Sequence, residues 1–325
     1  MNSTRLFIAA AALALSTLSP GASAQAFPNK PVRIITPFPA GSGPDAVLRM
    51  VGDKLTRAWG QQIIIDNRPG ANGFIAIEAA RRATPDGYTL VQMDSAQLTA
   101  HPHLYKKLPY DPVKDFDAVT PLFRNYFFVV VPADSKWKNM SDLIAAAKAR
   151  DGELTYGSWF IGSPGHLGAG LLEAASGTHM THVPYKEMTQ LYAAVGNKEV
   201  AWAFGSVASA GAMVRAGKAR FLAVAAPARV AGFADIPTVA QAGGPADFEV
   251  KAWTALFAPR GTPRDVSAKV AAAVAKALAE PEARERFGTF GYEAFSATPP
   301  EMDKLIGAES RRYADIIKRS SISLD

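Results

Sequence analysis

Short runs of β-branched and apolar residues alternate with helical stretches along most of the chain, and this alternation constrains the fold more than any other feature. Clear examples of the runs are residues 32–36, 89–93 and 200–204, and segments with apolar residues at helical spacing lie between them. Strands that alternate with helices form βαβ units with largely parallel sheets. The pattern therefore predicts the α/β class.

Two extended apolar runs, residues 126–131 and 253–257, are candidates for strands that join two domains. The chain has 325 residues, which suggests two domains of ordinary size. No long polar linker separates them, so we expect the joining strands to act as a hinge. The predicted division places residues 27–127 and 254–325 in lobe 1 and residues 128–253 in lobe 2.

The first 26 residues have the three parts of a secretory signal peptide. Arg5 supplies the positive charge, residues 6–18 form a short apolar run, and small residues end at Ala24. The run is too short to span a bilayer, which needs about 20 apolar residues. We expect export and cleavage after Ala24 or Ala26. The sequence contains no cysteine, which excludes disulfides and a lipid-modified N-terminus.

The charge of the chain favours small anionic ligands over nucleic acid. The formal net charge is +6, and removal of Arg5 with the signal peptide lowers it to +5 because residues 1–26 contain no Asp or Glu. A modest positive surplus attracts small anions. The basic residues occur in pairs such as 106–107 and 311–312, without a stripe or interleaved aromatic residues. We expect no nucleic-acid partner.

Two loops in different halves of the chain each follow a predicted strand and precede a helix. The first is residues 37–45, in which Ser42 is the expected N-cap and Asp45 occupies the third position of a capping box. The second is residues 157–166, in which Ser163 is the expected N-cap. Helix starts present unpaired N–H groups to a carboxylate. Two such starts, facing across a cleft, would hold the two ends of a ligand.

Plainer explanations of these loops remain open at this point. Strand-to-helix turns rich in Gly, Ser and Pro occur in every α/β protein. An aspartate in the position of Asp45 is more often a helix cap than a ligand contact. The pairing of the two loops in equivalent positions favours the binding interpretation without deciding it.

Enzymatic, metal and nucleotide functions lack their usual motifs. No Gly-x-Ser-x-Gly elbow is present, and His166 near Ser163 is better explained as part of a helix start. The histidines at 101, 103, 179 and 182 come without cysteine or a Glu-x-x-His motif. No Walker or dinucleotide-binding pattern occurs. We expect no catalytic residues, no metal and no cofactor; a periplasmic hydrolase is the least favoured alternative.

Taken together, the motifs of the chain resemble those of the Bug receptors, the substrate-binding proteins of tripartite tricarboxylate transporters. The resemblance runs from about Phe27 to the C-terminus. It includes the loop PFPxG with Asp45 and the segment from Tyr156 to His166. The other motifs are PxKPVRII at 28–35, NRPGAxG at 67–73, PDGYTL at 85–90, LPYDPxxDF at 108–116, HVPYK at 182–186 and DIPTVxxAG at 235–243.

The resemblance implies a two-lobed periplasmic-binding-protein fold of the Venus-flytrap, type II-like kind, with the ligand in the cleft between the lobes. It implies periplasmic localisation, a small carboxylate ligand and membrane permease subunits of a tripartite tricarboxylate transporter as partners. A ligand sensor that signals to a membrane partner is the alternative, and a monomer is the default. The implied ligand-binding residues are Phe38, Ala40, Gly41, Ser42, Asp45, Ser95, Gln97, Ser158, Trp159, Phe160, Gly162, Ser163, His166, Phe204, Gly205 and Ser206.

Three departures from the family pattern bear on the ligand. The second loop carries Trp159 and Phe160 where relatives have small residues, which adds stackable surface to the cleft. His101 stands where relatives have Asn. Gly205 replaces an acidic residue that would pair with a ligand ammonium. We expect a carboxylate without an amino group, with benzoate- or phthalate-like acids as candidates. The alternative is that Trp159 and Phe160 pack against the lobe and leave the pocket small.

Overall fold

Two β-sheets organise the protein in the computed structural model, which describes residues 27–159 and 161–319. The predicted signal peptide, Phe160 and residues 320–325 lie outside the described residues. The first sheet has the order β11-β4-β10-β3-β1-β2. Its strands are β1 (Val32–Thr36), β2 (Ile63–Asn67), β3 (Thr89–Asp94), β4 (Phe116–Tyr126), β10 (Lys251–Pro259) and β11 (Tyr292–Glu293).

The second sheet has the order β7-β6-β8-β5-β9. Its strands are β5 (Phe128–Pro132), β6 (Thr155–Ser158), β7 (Thr181–Pro184), β8 (Trp202–Gly205) and β9 (Ala219–Val224). In each sheet a parallel group, β2-β1-β3 or β7-β6-β8, is joined to antiparallel neighbours. Parallel strands need crossover connections, which the helices supply.

Eleven α-helices occur in the described part of the chain. They are α1 (Gly43–Trp59), α2 (Phe74–Arg81), α3 (Ser95–Thr99), α4 (His101–Leu104), α5 (Met140–Ala149), α6 (Pro164–Ser176), α7 (Met188–Gly196), α8 (Val207–Arg215), α9 (Arg264–Ala279), α10 (Pro281–Phe290) and α11 (Pro299–Arg319). None of these helices is long and apolar enough to span a membrane.

The core of the first lobe lies on both faces of its sheet. On one face, α1 and α9 bury apolar side chains such as Leu48 and Val270 against Leu122 and Leu256. On the other face, α2 and α11 cover a second cluster. Because helices cover both faces, the central strands β1, β3 and β10 are buried along most of their length. The second lobe has one large cluster built around β5, β8 and β9.

The passage between the sheets takes place at Phe127 and Val250. Phe127 separates β4 from β5, its N–H donates to the Val250 carbonyl, and its carbonyl accepts from the Ala225 N–H. The pairing of β10 within the first sheet begins at Lys251, three residues before the predicted boundary at residue 254.

Candidate functional site

The loop after β1 is organised by the carboxylate of Asp45. Its side chain is 1% exposed and accepts from Gly41 N–H at 2.8 Å, from Arg49 Nε at 2.9 Å and from Asn67 Nδ2 at 2.7 Å. Burial raises the pKa of Asp45, but these hydrogen bonds and the Arg49 charge outweigh burial and hold the pKa below its ordinary value. Asp45 therefore positions the loop from inside.

Ser42 caps α1 as the sequence predicts, but Asp45 does not complete a capping box. The Ser42 hydroxyl accepts from Asp45 N–H, whereas the Ser42 N–H already donates to the Pro39 carbonyl. The Asp45 carboxylate therefore bonds one residue earlier, to Gly41. Gly41 has φ +81°, a left-handed conformation that favours glycine. Gly41 and Ala40 are exposed and Phe38 is half-buried, so the outer loop faces solvent.

A buried polar network supports the same loop from below. The Thr36 hydroxyl donates to Gln92 Oε1 at 2.7 Å and accepts from Phe38 N–H, and Gln92 Nε2 lies 3.4 Å from the Thr254 hydroxyl. Three strands of the first sheet thus fix the backbone of Phe38. A buried network whose members are all satisfied favours one loop conformation.

Ser95 and Gln97 lie at the carboxyl end of β3, and their side chains bond to the protein. The Ser95 hydroxyl accepts from Trp253 N–H. Gln97 Oε1 accepts from Asp94 N–H, and its Nε2 donates to the Asn72 carbonyl. Both residues are buried. These internal bonds hold both side chains in place.

In the second lobe, His166 closes the loop that precedes α6. Its Nδ1 accepts from Gly162 N–H at 2.9 Å, while its own N–H donates to the Ser163 hydroxyl, the predicted N-cap. With Nδ1 as the acceptor, the neutral ring carries its proton on Nε2. Burial, and then the neighbouring His182, lowers the pKa of His166 to about 3. The ring is therefore neutral at physiological pH.

His182, which the sequence reading considered as a metal ligand, belongs to the same cluster. Its ring stacks on that of His166, and its Nε2 lies 2.7 Å from the Ser158 hydroxyl. Burial lowers the pKa of His182 to about 4. The described residues hold no group of three His, Cys, Asp or Glu side chains arranged for a metal ion.

Trp159 points into the core of the second lobe. It is 6% exposed and stacks on Phe127, with ring centroids 5.3 Å apart. Gly165 lies against the same ring, where an added Cβ would stand 2.6 Å from Trp159 Cζ3. The aromatic surface predicted for the cleft thus depends on Phe160, which is outside the described residues.

Phe204, Gly205 and Ser206 lie where β8 ends and α8 begins. Ser206 caps α8 by accepting from Ser209 N–H. Gly205 packs against Tyr192, because an added Cβ would lie 2.8 Å from Tyr192 Cε1 and 3.0 Å from its hydroxyl oxygen. The space that an acidic side chain would occupy at this position is therefore filled by tyrosine.

The structure brings the predicted segments together between the lobes. Next to the first loop, Gly43 of α1 lies close to Ala208 of α8. On the other side, Leu167 of α6 packs with Ala96 of α3 and with Ile317 of α11. Helix starts from the two lobes therefore lie next to each other, α1 beside α8 and α6 beside α3. Sequence reasoning missed four residues of this region: Arg49, Asn67, Tyr192 and Tyr292.

Comparison with known proteins identifies the family of the chain. The sequence model of the family described as "Tripartite tricarboxylate transporter family receptor" matches residues 47–322. The chain belongs to this family. The resemblance inferred from the motifs is thereby confirmed, and so is the two-lobed α/β fold of periplasmic binding proteins.

Several relatives span nearly the whole chain. A protein encoded in the tcbD-tcbE intergenic region of Pseudomonas sp. strain P51 is 32% identical over 96% of this chain and 93% of its own. Protein BugT of Bordetella pertussis is 29% identical over the full length of both chains.

Two similar proteins of known structure were solved with acids. An R. palustris protein solved with adipate is 29% identical, covers 91% of this chain and 99% of its own, and has a TM-score of 0.82. MatC of Rhodopseudomonas palustris, solved with bound malate, is 30% identical, covers 90% of this chain and 100% of its own, and has a TM-score of 0.77.

Proposed function

We propose that this chain is a periplasmic receptor that binds a small carboxylate and delivers it to the permease of a tripartite tricarboxylate transporter. The observation that carries the proposal is the pair of serine-capped helix starts, α1 and α6, which come from opposite lobes. In the proposed receptor both starts border the ligand cleft. Unpaired N–H groups at helix starts bind carboxylates. The adipate and malate in the two related structures support the same ligand class.

Closure of the lobes on the ligand follows from the same arrangement. A ligand that touches both lobes favours the closed form by the difference in its contacts with the two forms. Phe127 and Val250, where the chain passes between the sheets, are the proposed hinge. Closure removes water from the cleft, and hydrogen bonds from N–H groups to carboxylate oxygens strengthen as water leaves.

A binding role without catalysis fits the Ser158–His182 pair. A serine close to a histidine is the start of a nucleophilic dyad, but the Ser158 side chain is fully buried. A nucleophile must reach the reacting carbon of its substrate. The pair is better explained as a structural support of the loop.

The proposed ligand lacks an amino group. Tyr192 occupies the space beside Gly205 where a carboxylate could have paired with an ammonium group. Asp45 is already bonded to Arg49 and Asn67. An ammonium group that enters the cleft loses its hydration. It would find no free carboxylate at Gly205 or at Asp45 to replace that hydration, which costs free energy.

Thermal shift and calorimetry on the chain from residue 27 onward test the proposal. The acid panel contains adipate, malate, citrate, benzoate and phthalate, and two matched pairs sharpen it. Adipamide keeps the chain of adipate and lacks its charges, and glutamate differs from glutarate by its amino group. We expect the protein to bind adipate more tightly than adipamide, and glutarate more tightly than glutamate. Bound ligand at a hundredfold excess over Kd stabilises the protein by about 2.7 kcal/mol.

The outcomes separate the parts of the proposal. If no acid raises the melting temperature or gives binding heat, the carboxylate receptor assignment is wrong. Equal affinity for glutarate and glutamate leaves the receptor role intact and removes the ligand preference. Cell fractionation, together with uptake of the bound acid by a deletion strain, tests the periplasmic location and the transport role. Gel filtration tests the predicted monomer.

A further inference from the structure

Tyr292 lies beneath the start of α1, far along the chain from the loops discussed above. It belongs to β11, where it pairs with Asn125 of β4 near the hinge. Its ring stacks on Phe123, with centroids 4.1 Å apart and planes 7° apart, and Phe287 and Phe290 contact its edges. These three rings fix the direction of the Tyr292 hydroxyl.

The hydroxyl points at Gly43, the first residue of α1. A Cβ added at Gly43 would stand 2.3 Å from the Tyr292 hydroxyl oxygen and 3.1 Å from Cζ, and 3.5 Å from the Ala208 Cβ of the other lobe. Only glycine leaves room for the tyrosine here. The hydroxyl thus lies where the first lobe meets the second.

No hydrogen bond to this hydroxyl occurs within the described residues. Tyr292 is 7% exposed. Among the described residues, the fully buried side-chain N and O atoms without a hydrogen-bond partner belong to Trp137, Trp202 and Glu309. The Tyr292 oxygen is not one of them, so it keeps contact with solvent. Burial raises the pKa of Tyr292, and the group is therefore a protonated donor. Buried tyrosine hydroxyls usually have a partner.

A second unused donor lies beside it. At the start of α1 the N–H of Ser42 donates to Pro39, the N–H of Asp45 to the Ser42 hydroxyl and the N–H of Ala46 to the Ser42 carbonyl. Pro44 has no N–H. Within the described residues this leaves the Gly43 N–H without a partner, at the positive end of a 17-residue helix.

We propose that the Tyr292 hydroxyl and the Gly43 N–H form a two-donor seat for one carboxylate group of the ligand. The proposal rests on the receptor function given above and identifies a contact residue from the C-terminal part of the chain. Each carboxylate oxygen accepts one of the two hydrogen bonds, and the helix dipole adds attraction for the charge. The approach of Ala208 places the second lobe next to the seat.

The experiment compares the chain from residue 27 onward with its Tyr292→Phe variant by calorimetry. The probe is whichever acid of the panel binds the unmodified protein most tightly. Phenylalanine keeps the stacked ring and removes one donor to a charged acceptor, so we expect affinity to fall roughly tenfold or more. Since the hydroxyl has no partner among the described residues, the melting temperature without ligand should stay unchanged.

Tyr88→Phe is the matched control. Its hydroxyl bonds to Asn29 on the outside of the first lobe, away from the cleft, and its loss should leave affinity unchanged. Unaltered affinity in Tyr292→Phe overturns the seat while the receptor function stands. A weaker affinity accompanied by a melting temperature several degrees lower also overturns it, because Tyr292 would then act through the fold. If no acid binds the unmodified protein, both proposals fail.

Discussion

The imidazole rings of His166 and His182 stack face to face, with centroids 3.9 Å apart and planes 9° apart. His166 belongs to the start of α6 and His182 to β7, so the stack ties the second loop to the neighbouring strand. Hydrogen bonds to Gly162 and Ser158 engage one nitrogen of each ring. Two charged rings at this distance would repel each other, so the stack depends on neutral histidines.

Acid should therefore weaken the second lobe. Both histidines have folded pKa values, about 3 and about 4, below the unfolded value of about 6.5. As the pH falls below 6.5 the unfolded chain binds more protons than the folded one, so the free energy of unfolding decreases down to about pH 4. In this pH range the two rings let the unfolded chain bind up to about two more protons than the folded chain, and this difference sets the slope of the free energy of unfolding against pH.

Urea unfolding between pH 7 and pH 4 tests this linkage in the His182→Gln variant. The free energy of unfolding should fall less steeply with decreasing pH in this variant. The difference corresponds to up to about one proton, because one titrating ring is lost. Groups elsewhere, such as Asp94, whose pKa burial raises to about 6, titrate alike in both proteins and cancel. An unchanged slope in His182→Gln would contradict the assignment.

Asp45→Ala should weaken both stability and ligand binding. The change leaves the Gly41 N–H without its acceptor and Arg49 without its carboxylate. Loss of such bonds costs about 1–3 kcal/mol, and the disordered loop should lower affinity roughly tenfold. Urea unfolding and calorimetry measure the two effects. Asp53→Ala, at an exposed position on the same helix, is the control and should change neither quantity. Full affinity with unchanged stability in Asp45→Ala would show that the carboxylate does not organise the loop.

The sequence predicts the helix starts well because their signals are local. Ser42 and Ser163 are N-caps in the structure, as a serine with a proline one or two residues later indicates. The partners of Asp45 were not predictable in the same way. Arg49 is one helical turn away, but Asn67 comes from β2, and the competing bond from Ser42 to Pro39 depends on the loop conformation.

Residues distant in sequence were missed because nothing local points to them. Tyr292 reaches the start of α1 through a two-residue strand almost 250 positions later in the chain. Trp159 turned towards the core because Phe127, at the passage between the lobes, offers it a stacking partner. The motif at 182–186 marked His182 as a family feature, yet its contact with His166 requires the register between β6 and β7.

Gly205→Ala should destabilise the second lobe. The added methyl group would stand 2.8 Å from Tyr192 Cε1 and 2.9 Å from the Ala210 Cβ, and both neighbours are held within the core. Overpacking of this kind costs about 1–3 kcal/mol. Gly288→Ala is the control: it lies exposed in α10 with nothing near the added methyl group, and it should be neutral or slightly stabilising. Urea midpoints measure both variants, and equal stability of Gly205→Ala and the unmodified protein would contradict the tight packing.

Gly43→Ala should weaken ligand binding through Tyr292. The new methyl group would collide with the Tyr292 hydroxyl oxygen, so the ring must move away from the start of α1. In a Tyr292→Phe background that oxygen is already absent, and the same Gly43→Ala change should cost less affinity. The four proteins form a double-mutant cycle, in which residues in direct contact typically show a coupling of about 0.5–3 kcal/mol. Calorimetry with the tightest-binding acid measures each corner. Strictly additive effects would mean that Gly43 and Tyr292 act on the ligand independently, contrary to the shared seat.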